Sequence, residues 1–218
     1  MKDNIQTCLV AAAIVAVLAG CATARVSDAT RSSSSGAQPV EILVDVTTDS
    51  QASAAQTVRA DLQANLVKKL TAARVFAEPY SAAAQHSGVA VLHVTITEAD
   101  PGNAVKRFVI GLGAGRARLQ AAAELWTQAA IGSAPVVAFN TSSDSGRGPG
   151  LLAAGGVAVA TGAAVPLAIG GGIDLAQNAH GAFDKPLKAT SRSIVDQLKS
   201  YYGSVGWSWP TADRAQHS

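Results

Sequence analysis

Few side chains in this 218-residue sequence are placed to do chemistry. His86, His93, His180 and His217 stand isolated along the chain. No His-Glu-x-x-His pair sets two imidazoles on one helical face for zinc, and no Asp-x-Asp loop offers a calcium cage. Ser142, Ser143, Asp144 and Ser145 form a polar run without the strand-to-helix glycine frame of a nucleophile elbow, and so read as a loop. Both thiols, Cys8 and Cys21, fall within the first 21 residues. This inventory predicts a protein that is not an enzyme, with no catalytic residues, no metal and no diffusible cofactor.

The most distinctive internal phrase is KRFVIGLGAGRAR, Lys106 to Arg118. Its glycines, Gly111, Gly113 and Gly115, fall at alternate positions. A dinucleotide site needs Gly-x-Gly-x-x-Gly leading into a helix, and a P-loop needs Gly-Lys-Ser/Thr. Neither is present, and strand periodicity follows instead. Alternating glycines of this kind mark a bulge, a sharp bend or a close approach of two backbones. Arg107, Arg116 and Arg118, with the three glycines, are the candidate surface for an anionic ligand or a partner.

Within LVAAAIVAVLAGCATA, Leu9 to Ala24, Cys21 follows an apolar segment, Leu9 to Leu18, that is too short to span a bilayer comfortably but has the length of a secretory signal core. Leu18-Ala19-Gly20-Cys21 resembles the bacterial lipobox. That resemblance implies removal of residues 1–20 as a lipoprotein signal peptide, a diacylglycerol on the Cys21 thiol and an N-acyl chain on its freed amine. Cleavage would also remove Cys8, so no disulfide could form within one mature chain. Each buried methylene adds ~0.8 kcal/mol, and several acyl chains on one residue hold where a single myristoyl does not. The expected partner is therefore a membrane, reached through the lipid anchor. Ala22, where an inner-membrane retention signal would have Asp, implies by analogy the outer membrane, periplasmic face.

The elements that position these residues follow from composition and period. With 48% apolar and 15% charged residues, the chain can bury one substantial core. A net charge of +2, thinly spread basic residues and 5% aromatics exclude nucleic acid as a partner. Residues 21–39, rich in Ser, Thr and Ala, predict a lipidated Cys followed by a flexible tether. A single domain is expected over 40–203, with 204–218 as a C-terminal tail.

Within that domain Ile42, Val44 and Val46 alternate as a strand, while Val58, Leu62, Leu66 and Leu70 recur every four residues as a helix ending near Ala73. Ser53 and Gln56 fit a capping box at its start, and Val75 to Ala77 predicts a short strand. Ala90, Leu92, Val94 and Ile96 alternate on a second long strand, with His93 on its polar face. Ala117, Leu119, Ala121, Ala123 and Leu125 do so on a third, and Ala134 to Asn140 supplies its hairpin partner. Asp184 caps a last helix with Pro186 in its first turn, along the stripe Leu187, Ile194, Leu198 and Tyr201. The order predicts an α+β fold, with an antiparallel or mixed sheet and the helices packed on one face.

One segment resists this pattern. Leu151 to Ile173 carries no charge and is mostly glycine and alanine, interrupted by Pro166. Small residues repeat at every fourth position, which suits close helix packing. It fits a helix pair folded on the domain, a hairpin that contacts membrane or a second copy, or a Gly-rich loop.

The phrase KRFVIGLGAGRAR before a long alternating strand, the downstream SSDSGRGPG from Ser142 to Gly150, the Ala/Gly-rich segment and the lipobox together resemble the domain of unknown function 4410 family over about residues 40–203. That family is a group of bacterial envelope proteins often made as lipoproteins. The resemblance implies an envelope location and brings no activity with it. The expectation is a non-catalytic, membrane-anchored lipoprotein of the bacterial cell envelope that acts by protein binding, assembly or scaffolding, with another copy or an envelope protein as partner. The alternative is a periplasmic binder of a small anionic glycan or lipid ligand.

Overall fold

The computed structural model describes residues 24–32, 37–50, 53–81, 88–103, 115–127, 134–146 and 177–209. Residues 1–20, expected to be a signal peptide, and Cys21, Arg107, Gly111, Gly113 and the segment 151–173 lie outside the described residues. Eight elements follow in order: β1 (Ala24–Arg31), β2 (Glu41–Thr48), α1 (Ser53–Ala72), β3 (Phe76–Pro79), β4 (Val89–Asp100), β5 (Arg118–Thr127), β6 (Val137–Asp144) and α2 (Gln177–Ser204).

The strands form one mixed sheet in the order β1-β6-β5-β4-β2-β3. β2 runs parallel to both β3 and β4, and the remaining pairs are antiparallel. Parallel neighbours cannot be joined by a tight turn, so α1 serves as the crossover between β2 and β3. Alternation brings one row of each strand to a single face. Val44 and Val46 stand beside Leu92 and Val94, these beside Leu125 and Ala123, and these beside Val137 and Phe139. All eight are buried.

The same face receives both helices. α1 lies against β2, β3 and β4, α2 lies against β5, β6 and β1, and the two helices touch. Val58, Leu62, Leu66 and Leu70 of α1 and Phe183, Leu187, Ile194, Leu198 and Tyr201 of α2 complete the core. Burying each such side chain stabilises the fold by roughly 1.5–3 kcal/mol, the term that ordering entropy opposes. The architecture is the expected α+β arrangement, with a mixed sheet.

Four details differ from the sequence reading. The predicted tether is a strand over Ala24–Arg31, paired antiparallel with β6. Its short alternation, with Ala24 and Val26 half-buried, is too weak to signal a strand by itself. The open edge of β6 supplies the backbone partners that make it one. Side chains fasten it: Arg31 donates to Gln197 Oε1 and Ser200 Oγ of α2 at 3.1 and 3.2 Å. At a register shift, Asp28 adopts a positive φ of 54° and accepts bonds from Asn140 and Ser27. Those two bonds, Asn140 foremost, hold its carboxyl below the usual carboxylate range.

Second, α2 already runs from Gln177, so Pro186 sits inside the helix and Asp184 does not cap it. Proline has no N–H for the carbonyl four residues earlier. Its own carbonyl meets the Ser143 hydroxyl at 3.2 Å, and that hydroxyl is 2.8 Å from Thr190 Oγ1. Ser143 and Thr190 are both buried, so this network ties β6 to the helix where the proline interrupts it. Third, β6 continues through Ser142 to Asp144, where a polar loop was expected. Ser143 faces the core while Ser142 faces solvent, a strand alternation written in small polar residues.

Finally, the chain beyond Ser204 is part of the domain as far as Trp209. Trp207 packs edge-on against Tyr201 and Tyr202, and Trp209 against Tyr202, at ring-centre distances of 5.1–5.7 Å. Trp209 Nε1 donates to the carbonyl of Ala73 at the end of α1, 3.0 Å away. Gln56 Nε2 donates to the Ser50 carbonyl at 3.1 Å, tying the first turn of α1 to the chain before it.

Burial, with a smaller contribution from the neighbouring Tyr201, pushes the Tyr202 hydroxyl well above the usual tyrosine range. The unfolded chain therefore loses this proton near pH 10 while the folded one keeps it. The stabilisation is intact below that value and falls as pH rises beyond it. In urea titrations from pH 9 to about 11.5, Tyr202→Phe is expected to lose less stability with rising pH than the unmodified chain.

Candidate functional site

β4 and β5 are joined at the end of the sheet where the sequence placed its candidate surface. The base of that connection is closed by backbone. Gly102 N–H donates to Asp100 Oδ1 at 2.7 Å, and Asn103 N–H donates to the Gly115 carbonyl at 3.1 Å. Gly102 and Gly115 have φ of +67° and +64°. A Cβ on Gly102 would lie 2.4 Å from the carbonyl oxygens of both Gly115 and Arg116. This is the close approach of two backbones that the glycine-rich phrase predicts, at the one of its three glycines within the described residues.

Arg116 Nη1 donates to Asp144 Oδ2 at 3.0 Å, joining the start of β5 to the end of β6. The same corner is fixed by Ser145, whose N–H donates to the Ala117 carbonyl and whose Oγ accepts from Ala117 N–H, at 3.0 and 3.2 Å. Both partners of the ion pair are a third or more exposed, which holds its worth to about 1 kcal/mol or less. Arg118 is exposed on the helix-free face, directly across from Asp100 on one neighbouring strand and Asp144 on the other. The structure thus brings Gly115, Arg116 and Arg118 together, and sets two aspartates among them. Among the described residues of this corner, the two arginines are matched by the two aspartates.

A second group went unread in the sequence. Asp45, His93 and Glu124 lie in one line across β2, β4 and β5 on the helix-free face. His93 Nδ1 is 3.0 Å from Asp45 Oδ2. Glu124 Oε2 accepts from Trp126 Nε1 at 3.1 Å, and the Tyr80 ring centre is 6.2 Å from the imidazole. Thr47 and Thr95 share a hydrogen bond next along the row, and Gln120 donates to Glu98 beyond it. A carboxylate on Nδ1 orients the ring and leaves Nε2 for a proton or a ligand. Among the described residues, no group of three or more His, Cys, Asp or Glu side chains is arranged to hold a metal ion. The signal for this row was the alternation of both strands, but only their register makes residues 45 and 93 neighbours.

These features define a two-layer α+β protein: a mixed sheet covered on one face by two helices, with a polar row on the other. The chain belongs to the family described as Domain of unknown function (DUF4410), whose model matches residues 10–162. The match begins within the N-terminal apolar run, ahead of the range 40–203 expected from the sequence phrases, and stops before α2. Among solved structures, it is similar to two PelC dodecamers from Paraburkholderia phytofirmans. One, a Leu-to-Met variant in space group C2, has 15% identity and a TM-score of 0.37, covering 57% of this chain and 82% of that one. The other, in space group P6, has 15% identity and a TM-score of 0.36, covering 58% and 82%. At these scores the likeness carries no argument about assembly or activity. A comparison with curated proteins found no match. No helix of the described residues is long and apolar enough to cross a membrane.

The pinch at Gly102 makes a direct prediction. Gly102→Ala combines a left-handed backbone with a clash against carbonyl oxygens that cannot rotate away, and backbone strain by itself costs about 1–3 kcal/mol. Gly181→Ala, where an added Cβ meets nothing within 4 Å in a helix, should instead stabilise by about 0.4–1 kcal/mol. Chemical denaturation of the two variants beside the unmodified chain reads both signs.

Proposed function

We propose that the protein is a non-catalytic lipoprotein of the bacterial cell envelope, held through Cys21 at the periplasmic face of the outer membrane, where it binds or assembles with other proteins or further copies of itself. The observation that carries the reading is Leu18-Ala19-Gly20-Cys21 at the close of an uncharged apolar run. Membership of the DUF4410 family fits it, since the matched span takes in this motif together with the sheet. Confining a domain to a membrane plane raises its effective concentration for neighbours, so weak contacts suffice.

The fold offers such contacts on its open sheet face. The helix-free face presents the row of Asp45, His93 and Glu124, flanked by Trp126 and Tyr80. Aromatic and polar groups at a sheet surface suit recognition of another molecule better than sequestered chemistry. The second reading, a small anionic glycan or lipid ligand held by Arg107, Arg116 and Arg118, rests on the exposure of Arg118. Its balance by Asp100 and Asp144 weighs against a strong anion site.

Growth with a fatty-acid analogue is expected to label the unmodified protein and leave it in the membrane fraction, whereas Cys21→Ser takes no label and leaves that fraction. An unmodified protein without label overturns the anchor. The mass of the detergent-solubilised protein separates the two modes of action. Assembly predicts an oligomer that falls apart when Leu151 to Ile173 are deleted. A monomer that copurifies with a ligand, and loses it when the three arginines become Ala, establishes the second reading instead.

A further inference from the structure

β1 begins at Ala24, only three residues after Cys21. A chain advances at most about 3.3–3.6 Å per residue, so an acylated Cys21 stands within about 11 Å of the sheet edge. The 18 residues from Ala22 to Pro39, had they been a free tether, would have given a reach of about 60 Å. The anchor therefore joins the fold almost directly, and it joins at a definable end.

Strand register identifies that end. Ala24 sits opposite Ser143, near the last residue of β6. Asp144 faces Arg118 at the start of β5, and Arg118 faces Asp100 at the finish of β4. α2 reaches the same region through Pro186 and Thr190, which meet Ser143. Its far end instead contacts Arg31 and Ser32 at the finish of β1. Two connections also open here: the described chain leaves after Asn103 and resumes at Gly115, and it leaves again after Gly146 before α2.

We infer that this end of the sheet, bounded by Ala24, Asp100, Arg118 and Asp144, is the face of the protein that rests on a lipid bilayer, with the strands leading away from the membrane. The inference builds on the lipid anchor proposed above. The occupant is the bilayer surface itself. Among the described residues Arg25, Arg116 and Arg118 exceed Asp100 and Asp144 by a single positive charge, a surplus small enough to suit zwitterionic headgroups without anionic lipid. The opposite end, where Gly203 and Ala134 are exposed, lies roughly 35–40 Å away, the length of the twelve-residue β4.

The test uses the full-length protein isolated from membranes after processing and reconstituted in phosphatidylcholine vesicles containing a nickel-chelating lipid. A nitroxide is placed on one introduced cysteine at a time, Asn103→Cys or Ser142→Cys near the anchor and Ala134→Cys or Gly203→Cys at the far end. All four positions are exposed. Relaxation enhancement by lipid-bound nickel is expected to be at least about fivefold greater for the near pair, because the effect falls steeply over a separation of this size. Equal enhancement at both ends, or greater enhancement at the far end, overturns the inference. The intact mass of each sample distinguishes the two levels: acylated protein with equal ends refutes only the seating, whereas protein lacking acyl mass refutes the anchor and the seating with it.

Discussion

The buried row of β5 is the constraint on which the other elements depend. Ala117, Leu119, Ala121, Ala123 and Leu125 are all fully buried. β5 is also bonded on both sides, to β4 and to β6. Its alanines leave room for α2 to approach the sheet, and its leucines fill the space on either side of them. A slip of one residue would turn Arg118, Gln120 and Glu124 into the core, so the register has no close competitor. With β5 fixed, β6 is fixed against it, and β6 offers the edge on which β1 forms. The path from the core to the N-terminus is thus a chain of registers, each imposed by the one before.

Much of this was legible because periodicity and burial agree. Ala90, Leu92, Val94 and Ile96 of β4 and Val58, Leu62, Leu66 and Leu70 of α1 are buried as their spacing requires. β1 was hidden for a physical reason. Its residues are mostly polar, and its structure is a response to the vacant edge of β6 rather than a property of its own sequence. The finish of β6 was hidden in the same way, since Ser143 is buried through a hydroxyl network that hydrophobicity does not register. Pro186 and Asp184 mimic the start of a helix, yet α2 runs from Gln177 through both of them, and the Ser143 hydroxyl fastens this part of the helix to β6.

The candidate site was legible to a smaller degree. Gly115 and Arg116 announced a backbone constriction, and Gly102 provides its other half, a partner that no local phrase marked. The pairing of Asp45 with His93 spans 48 residues and depends on the parallel neighbours β2 and β4. Spacing within a segment can suggest which face a residue occupies, but it cannot say what stands beside it across a sheet. The helix-free face therefore contains its most organised polar group where the sequence showed only single residues.

The placement of β1 also governs the order of events when the chain emerges N-terminus first. Ala24 finds its partner at Ser143, more than a hundred positions downstream. Until β6 is made and folded onto β5, the first strand has no template, and closing so long a loop early is entropically costly. β1 therefore stays unpaired until most of the chain has been made. On the lipid anchor proposed above, processing enzymes acting on the thiol would meet an open chain first and a closed sheet edge only afterwards, so the topology would set a clock on that modification.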